Sequence, residues 1–415
     1  MSASLAAACT MLGALLLSAG GAAPAQAARA DYQPNSNDIV GVGSDTLQYI
    51  LDFAADGDPS GDAGFNSSNP PFKLISLDAT ADGNGRLAYL NGSTNAALKF
   101  LNPSLTIRAN TFPIQRPNGS GAGVKAMLAD TAITDPTINF ARMSSTPEGN
   151  GFGATAVTNG WQGLQDFVLG EEHLQLAAAN TTNAPAGMSA KQLVAIYSCN
   201  AQLLNPANPV APVTWNEVGG TATSAVIPTI PQSGSGTGKT FLADLQAANG
   251  GVAITVGSCV VTTEENDPAA ITGAATPADA IAPMSGSRLN LWSGLSGNTT
   301  FGPNPGGGFF HDPTVAYPGS ATALSPGVKL LTGAPSDGNP VYNDTRQLHI
   351  VYRWIDQIST THFEPGSTLN WAQALFCNPG GTTTPFFQSA EGKLLIAEAG
   401  ANPATQSCLT APFTN

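Results

Sequence analysis

Apolar residues in this chain fall into short runs that give way, across glycine and serine, to helically spaced positions. Ile39-Val40-Gly41-Val42-Gly43 has the length of a strand and ends in glycine. After it Leu47, Ile50, Leu51 and Ala54 stand at i, i+3, i+4 and i+7, one face of a helix, with Ser44 or Asp45 as N-cap. The pattern returns at 116–128, where Arg116-Pro117-Asn118-Gly119-Ser120-Gly121 opens onto Val124, Met127 and Leu128. It returns again where Ala225 to Ile230 reads as a strand, 232–237 as a Gly/Ser loop, and Phe241, Leu242 and Leu245 as the buried face of the next helix.

Between the second and third copies, Leu174 to Ala179 predicts a strand, and Ser189 with Leu193, Val194 and Ile196 predicts a helix. Leu348 to Trp354 is strand-like; Leu369 to Phe376 and Gln388 to Ala397 are helical. Residues 30–38, Gly306 to Gly308 and 334–340 read as linker and loops. Strands alternating with helices predict an α/β fold with largely parallel sheets.

At the amino terminus, the small and apolar run from Ala6 to Ala23 precedes two small-x-small cleavage sites, Ala25-Gln26-Ala27 and Ala28-Arg29-Ala30, so 1–30 reads as a secretory signal peptide. No Lys or Arg precedes Arg29, and Cys9 lies near the start of the apolar run rather than at its end, where it does not support lipid attachment. No later stretch has the roughly 18 uninterrupted apolar residues of a spanning helix. The expected product is secreted and extracellular, with cell-surface association open. At about 385 residues it exceeds the usual size of one hydrophobic core, which predicts two lobes.

A formal charge of −13 argues against nucleic acid and anionic membranes as partners. It does not argue against a small anion, because salt screens surface charge beyond about 8 Å. The first N–H groups of a helix form a natural anion site, and glycine lets an oxyanion approach the backbone. Micromolar affinity needs about 8 kcal/mol, and a hydrogen bond to a charged group contributes about 1.5–3 kcal/mol. Three helix starts reach that sum; one does not. Taken singly, each loop reads first as an ordinary Ser-capped helix start; their repetition in one chain favours the anion site.

Arg116 and Arg142 are the local cations. Asp45 is either an N-cap or an acceptor that would favour a protonated oxyanion over fully ionised sulfate. Cys199, Cys259, Cys377 and Cys408 suggest two disulfides in an exported protein. No C-x-x-C occurs, and His173, His311, His349 and His362 are scattered, so no metal and no cofactor are expected. Residues 233–240 approach a P-loop, but Ser233 replaces its first glycine. No G-x-S-x-G elbow occurs. Glu171-Glu172 and Glu264-Glu265 read as solvated surface acid. Trp161, Trp215, Trp292, Trp354 and Trp371 read as packing residues.

At these motifs the chain resembles the phosphate-binding component of bacterial ABC transporters, in its secreted Gram-positive form. The resemblance runs through Val42-Gly43-Ser44-Asp45-Thr46, 116–121, Asn139-Phe140-Ala141-Arg142, the segment from Leu193 to Val218, 230–237 and Asp279 to Ser285. It implies a type II periplasmic-binding-protein fold, two α/β lobes around a cleft at a double-crossover hinge, with lobe one at 36–172 plus 300–415 and lobe two inserted at 173–299. With those boundaries Cys199–Cys259 and Cys377–Cys408 each fall within one lobe, the favoured of three connectivities.

The resemblance also implies ligand roles for Thr46, Ser120, Ser235, Gly236 and Thr237. Ser44, Asp45, Gly119, Arg142, Ser144, Ser145 and Ser233 complete the candidate phosphate-binding set. The chain departs from the family at Pro231, where an Arg is usual, and at Ser144 and Ser145, near a usual Asp. The implied function is capture of phosphate or a similar oxyanion for uptake through an ABC transporter permease, by a monomer without enzymatic activity. A secreted phosphate-handling enzyme or wall-associated scavenger on the same scaffold is the alternative.

Overall fold

The computed structural model describes residues 34–58, 61–79, 104–132, 136–295, 327–361 and 367–415. The expected signal peptide, the loop at Gly306 to Gly308, His311, His362 and the side chain of Trp292 lie outside the described residues.

The strands are β1 (Ile39–Gly43), β2 (Leu74–Ser76), β3 (Ser104–Leu105), β4 (Ile114–Gln115), β5 (Phe140–Met143), β6 (Leu164–Ala179), β7 (Ile227–Pro231), β8 (Val261–Thr263), β9 (Ala280–Ser285), β10 (Val328–Leu330), β11 (Asn343–Arg353) and β12 (Ser407–Cys408). The helices are α1 (Gln48–Asp56), α2 (Ser120–Ala129), α3 (Phe152–Thr158), α4 (Ala190–Tyr197), α5 (Gly236–Ala248), α6 (Ala269–Thr272), α7 (Gly286–Leu295), α8 (Trp354–Gln357), α9 (Trp371–Leu375) and α10 (Ala390–Glu398).

One sheet organises the body, in the order β2-β1-β5-β11-β6-β9-β7-β8, with β10 and β12 also on β6. At one end β2, β1 and β5 run parallel; at the other β9, β7 and β8 do. Between these wings lie β11 and the 16-residue β6, antiparallel to each other and to their outer neighbours. β6 pairs with β11 from Leu164 to Gln175, with β12 at Phe167 and Val168, and through its last residues with β9 and β10, so the two long strands pass from one wing to the other. Parallel three-stranded wings, joined by an inserted antiparallel strand that returns late in the chain, make this the type II α/β fold.

Each wing carries its own core. Around β1 and β5, Leu47, Ile50, Leu51 and Ala54 pack with Phe140, Phe167 and Phe376. Around β7 and β9, Leu174, Leu193, Ile196, Trp215, Phe241 and Leu245 pack together, joined by Leu331 and Tyr342 from the stretch before β11. The helix face expected after β1 is buried, but α1 is enclosed on every side, Asp52 and Asp56 included. Its first turn is a 3-10 turn, Asp45–Leu47, and Ser44 makes no side-chain cap. At α4 the expected start is sharper: Ser189 and Gln192 form a reciprocal capping box.

Both favoured cysteine pairs are within bonding distance, Cys199–Cys259 at 1.93 Å and Cys377–Cys408 at 2.11 Å. Trp161 and Trp215 are fully buried, and the Trp215 indole N–H donates to Asp279. The acidic doublets need correction, since neither is solvated surface acid: Glu172 and Glu265 are buried, at 4% and 0% exposure. Successive residues of a strand face opposite sides, so Glu172 of β6 turns inward while Glu171 stays part-exposed.

Candidate functional site

The three Gly/Ser segments far apart in the chain meet at one buried spot. The first is the turn after β1. Gly43, at φ +115°, bends the chain there, and a side chain at this position would lie 2.7 Å from the Arg142 carbonyl. The second is the start of α2, where Gly119 caps the helix at φ +103°. The third is the start of α5, where Ser235 Oγ accepts the Gly238 N–H at 3.0 Å.

Hydroxyls tie these segments together. Ser44 Oγ donates to Ser144 Oγ at 3.0 Å, Ser144 Oγ lies 3.3 Å from Ser120 Oγ, and the Ser144 N–H donates to Ser120 Oγ at 2.9 Å. Toward the opposite wing, the Gly121 N–H of α2 donates to the Gly234 carbonyl ahead of α5 at 3.2 Å. Gly236 is held still closer: a β-carbon there would stand 2.1 Å from Ser120 Oγ and 2.4 Å from Ser144 Oγ. Glycine at 236 is therefore required by proximity rather than by a left-handed backbone.

Thr46 is the hub. Its Oγ1 lies 3.4 Å from Thr237 Oγ1, donates to Glu265 Oε1 at 3.3 Å, and receives Asn266 Nδ2 at 3.1 Å and Arg346 Nη2 at 3.4 Å. The Thr237 N–H at the head of α5 donates to the same Glu265 oxygen at 3.2 Å. A carboxylate thus rests on the amide and hydroxyl donors that a helix start offers an anion. Its other oxygen, Oε2, is buried and has no hydrogen-bond partner among the described residues. Burial, reinforced by nearby Asp45, raises the Glu265 pKa against the opposing Thr237 and Arg346.

Charge is organised around this hub. Arg346 on β11 is paired across the sheet with Glu172 on β6, which it holds through Nε at 2.9 Å; its Nη1 reaches the Ser144 carbonyl at 3.3 Å. Glu172 also receives the Ser285 and Ser287 hydroxyls and the Ser287 N–H, at the start of α7. Asp45 is ion-paired with Arg288 at 3.4 Å and accepts Asn266 Nδ2 at 3.2 Å. Arg288 stacks over the Tyr49 ring at 4.4 Å.

Arg142 takes a supporting place. Its guanidinium donates to the carbonyls of Gly43, Ser44 and Leu77 and to Ser76 Oγ, which fixes the turn bearing Thr46. Burial lowers its pKa, against the pull of Asp52, Asp78 and Asp45. Asp52 is pushed well above the usual carboxylate range by burial first and Asp78 second. Arg116 also serves the backbone, donating to the Asp78 carbonyl at 2.9 Å.

Of the candidate residues, the structure brings Ser44, Asp45, Thr46, Gly119, Ser120, Ser144, Gly236 and Thr237 together, with Ser235 as the cap beside them. Ser145 is buried next to Ser144, whereas Ser233 is exposed. Arg346, Glu265, Asn266, Arg288 and Glu172 belong to the same cluster and escaped the sequence motifs. The hydrogen bonds of His173 and His349 lead elsewhere, to Thr345 and Asp166.

No protein-family profile matches the chain, and no curated protein matches it. Solved structures resemble it at low identity. A Clostridium perfringens protein assigned to phosphate ABC transport substrate binding, solved with bound phosphate, is 14% identical, with 89% of this chain and 100% of that one covered at a TM-score of 0.47. An ABC-type phosphate transport receptor from Vibrio cholerae is 14% identical, covering 88% and 99% at 0.44. A phosphate-binding protein from Stenotrophomonas maltophilia is 14% identical, covering 76% and 78% at 0.36.

Proposed function

We propose that this chain is an extracellular solute-binding protein that captures inorganic phosphate, or a similar oxyanion, between two lobes for uptake by an ABC transporter. The observation that carries the reading is the meeting of the turn at Ser44–Thr46 with the heads of α2 and α5, around one threonine that an arginine also reaches. The lobes in this reading are 36–172 plus 300–415 and the inserted 173–299, except that Leu331 and Tyr342 pack with the second.

Thr46, Ser120, Ser144 and Thr237 supply neutral donors, Gly119 and Gly236 the close approach, Arg346 the cation. Each such donor contributes about 1.5–3 kcal/mol to a charged ligand, so four suffice for micromolar binding at about 8 kcal/mol. Asp45 is engaged by Arg288 and Asn266, so the acceptor role passes to Glu265, whose second oxygen is unmatched. An acceptor in the site favours an anion that still carries a proton, and so phosphate and arsenate over sulfate. Calorimetric titration with phosphate, arsenate, molybdate and sulfate tests the reading: phosphate binds at micromolar Kd or tighter and sulfate far more weakly. Absence of heat with all four rejects it.

A further inference from the structure

We propose a second ligand site, for a divalent cation of the Ca2+ type, formed by Asp58, Asp62 and Glu398 where the C-terminal ends of α1 and α10 lie together. This site owes nothing to the oxyanion reading. One carboxylate oxygen from each of the three residues lies within 4.8 Å of the others. Asp58 is only 2% exposed, and its Oδ2 has no hydrogen-bond donor among the described residues. A buried carboxylate oxygen without a donor incurs a full desolvation cost, and two more carboxylates beside it add repulsion. A cation between them removes both costs.

The carboxylate is held in place for that task. Asp58 Oδ1 accepts the N–H groups of Gly61 at 3.0 Å and Asp62 at 2.8 Å, while the Asp58 N–H donates to the Asp62 carbonyl at 3.1 Å. One oxygen is thereby spent on folding the loop and the other is left over. The helix dipoles act in the same direction. α1 ends at Asp56 and α10 at Glu398, and neither carries a basic residue in its last turn. Carbonyl-bearing helix ends favour cations, and here the side chains supply none. The two helices share one core, through Phe53 and Ala54 on α1 and Leu395 and Ile396 on α10, so a bound ion would join elements already packed together. Consistent with this geometry, the Glu398 carboxyl is raised by desolvation and by Asp58 and Asp62.

The donor set selects the ion. Three carboxylates and no nitrogen or sulfur suit a hard cation. Asp62 is part-exposed and Glu398 exposed, which leaves room for water ligands and irregular geometry. Ca2+ accepts such sites with six to eight oxygens, whereas Mg2+ demands near-octahedral geometry and sheds water reluctantly.

The full-length protein, stripped with chelator, should show a rise in Tm on adding CaCl2 and a calorimetric Kd of about 10⁻⁴–10⁻³ M, the range of extracellular Ca2+ modules. Both signals should vanish in Asp58→Asn, which keeps the loop acceptor, and in Glu398→Gln, an exposed position where folding is not at stake. MgCl2 should give less than a tenth of the Ca2+ affinity. No Ca2+-dependent shift in the wild type, or an unchanged shift in Glu398→Gln, overturns the site. Equal shifts with Mg2+ overturn the assignment to Ca2+.

Discussion

Helix α1 separates two regions of opposite electrical character. At its first turn lie Thr46 and the gathered heads of α2, α5 and α7, where N–H groups, hydroxyls and Arg346 converge. Past its last turn lie Asp58, Asp62 and Glu398, where helix carbonyl ends and carboxylates converge. The chain carries a formal −13, yet the first region gathers helix N–H groups, hydroxyls and two arginines around its carboxylates. Local backbone polarity and desolvation decide what each end attracts, and net charge does not.

The donor end breaks most severely at Arg346. Arg346→Gln leaves Glu172 buried without its guanidinium, and losing one partner of a buried pair costs about 3–5 kcal/mol. Chemical denaturation should show a loss of that order and calorimetry a matching loss of phosphate affinity; a variant as stable as the wild type would show that the Ser285 and Ser287 donors suffice for Glu172.

Ser120→Ala and Thr237→Ala should each weaken phosphate binding by about 1–3 kcal/mol. Full affinity in both would remove the two helix heads from the ligand.

Glu265 sharpens the comparison through pH. Its folded pKa is raised above the ordinary 4.5, so the folded protein keeps a proton that the unfolded chain releases. Stability therefore falls as pH rises from 4.5 through the raised value. Glu265→Gln should flatten that fall and narrow the preference for phosphate over sulfate. A steeper fall in the variant would mean that ionised Glu265 stabilises the fold.

The smallest effect is expected at Asp52. Burial first and Asp78 second raise its pKa well above the usual carboxylate range. Asp52→Asn keeps the size of the side chain and removes the charge that burial disfavours, so it should cost little stability. A loss of several kcal/mol in denaturant melts would instead mark it as the charged partner of Arg142.

How much of this was legible in the sequence follows from what periodicity encodes. The Gly/Ser heads of α2 and α5, the turn after β1, the α/β class and the cysteine pairs were legible because each is a local pattern or a short list of alternatives. Arg346 was not, since it lies 300 residues from the Thr46 hydroxyl it reaches. The strand-like run begins at Leu348, yet β11 begins at Asn343, because its first residues are polar and alternate between exposed and buried.

Extending that alternation two residues back from Leu348 places Arg346 on the buried face. The same step back from Leu174 along β6 places Glu172 there. The signal for both partners was present, but their pairing is a matter of strand register, which no local pattern records. Glu265 and Asn266 lie outside any helix or strand, so no periodicity marked them.

The most direct test of the account compares two alanine substitutions at one meeting point. At Gly236 a β-carbon would stand 2.1 Å from Ser120 Oγ, whereas at Gly121 its nearest neighbour is the Gly234 carbonyl at 3.8 Å. Phosphate titrations should show Gly121→Ala binding like the wild type and Gly236→Ala losing at least tenfold, about 1.4 kcal/mol. Wild-type affinity in Gly236→Ala would contradict the claim that the heads of α2 and α5 close on one oxyanion.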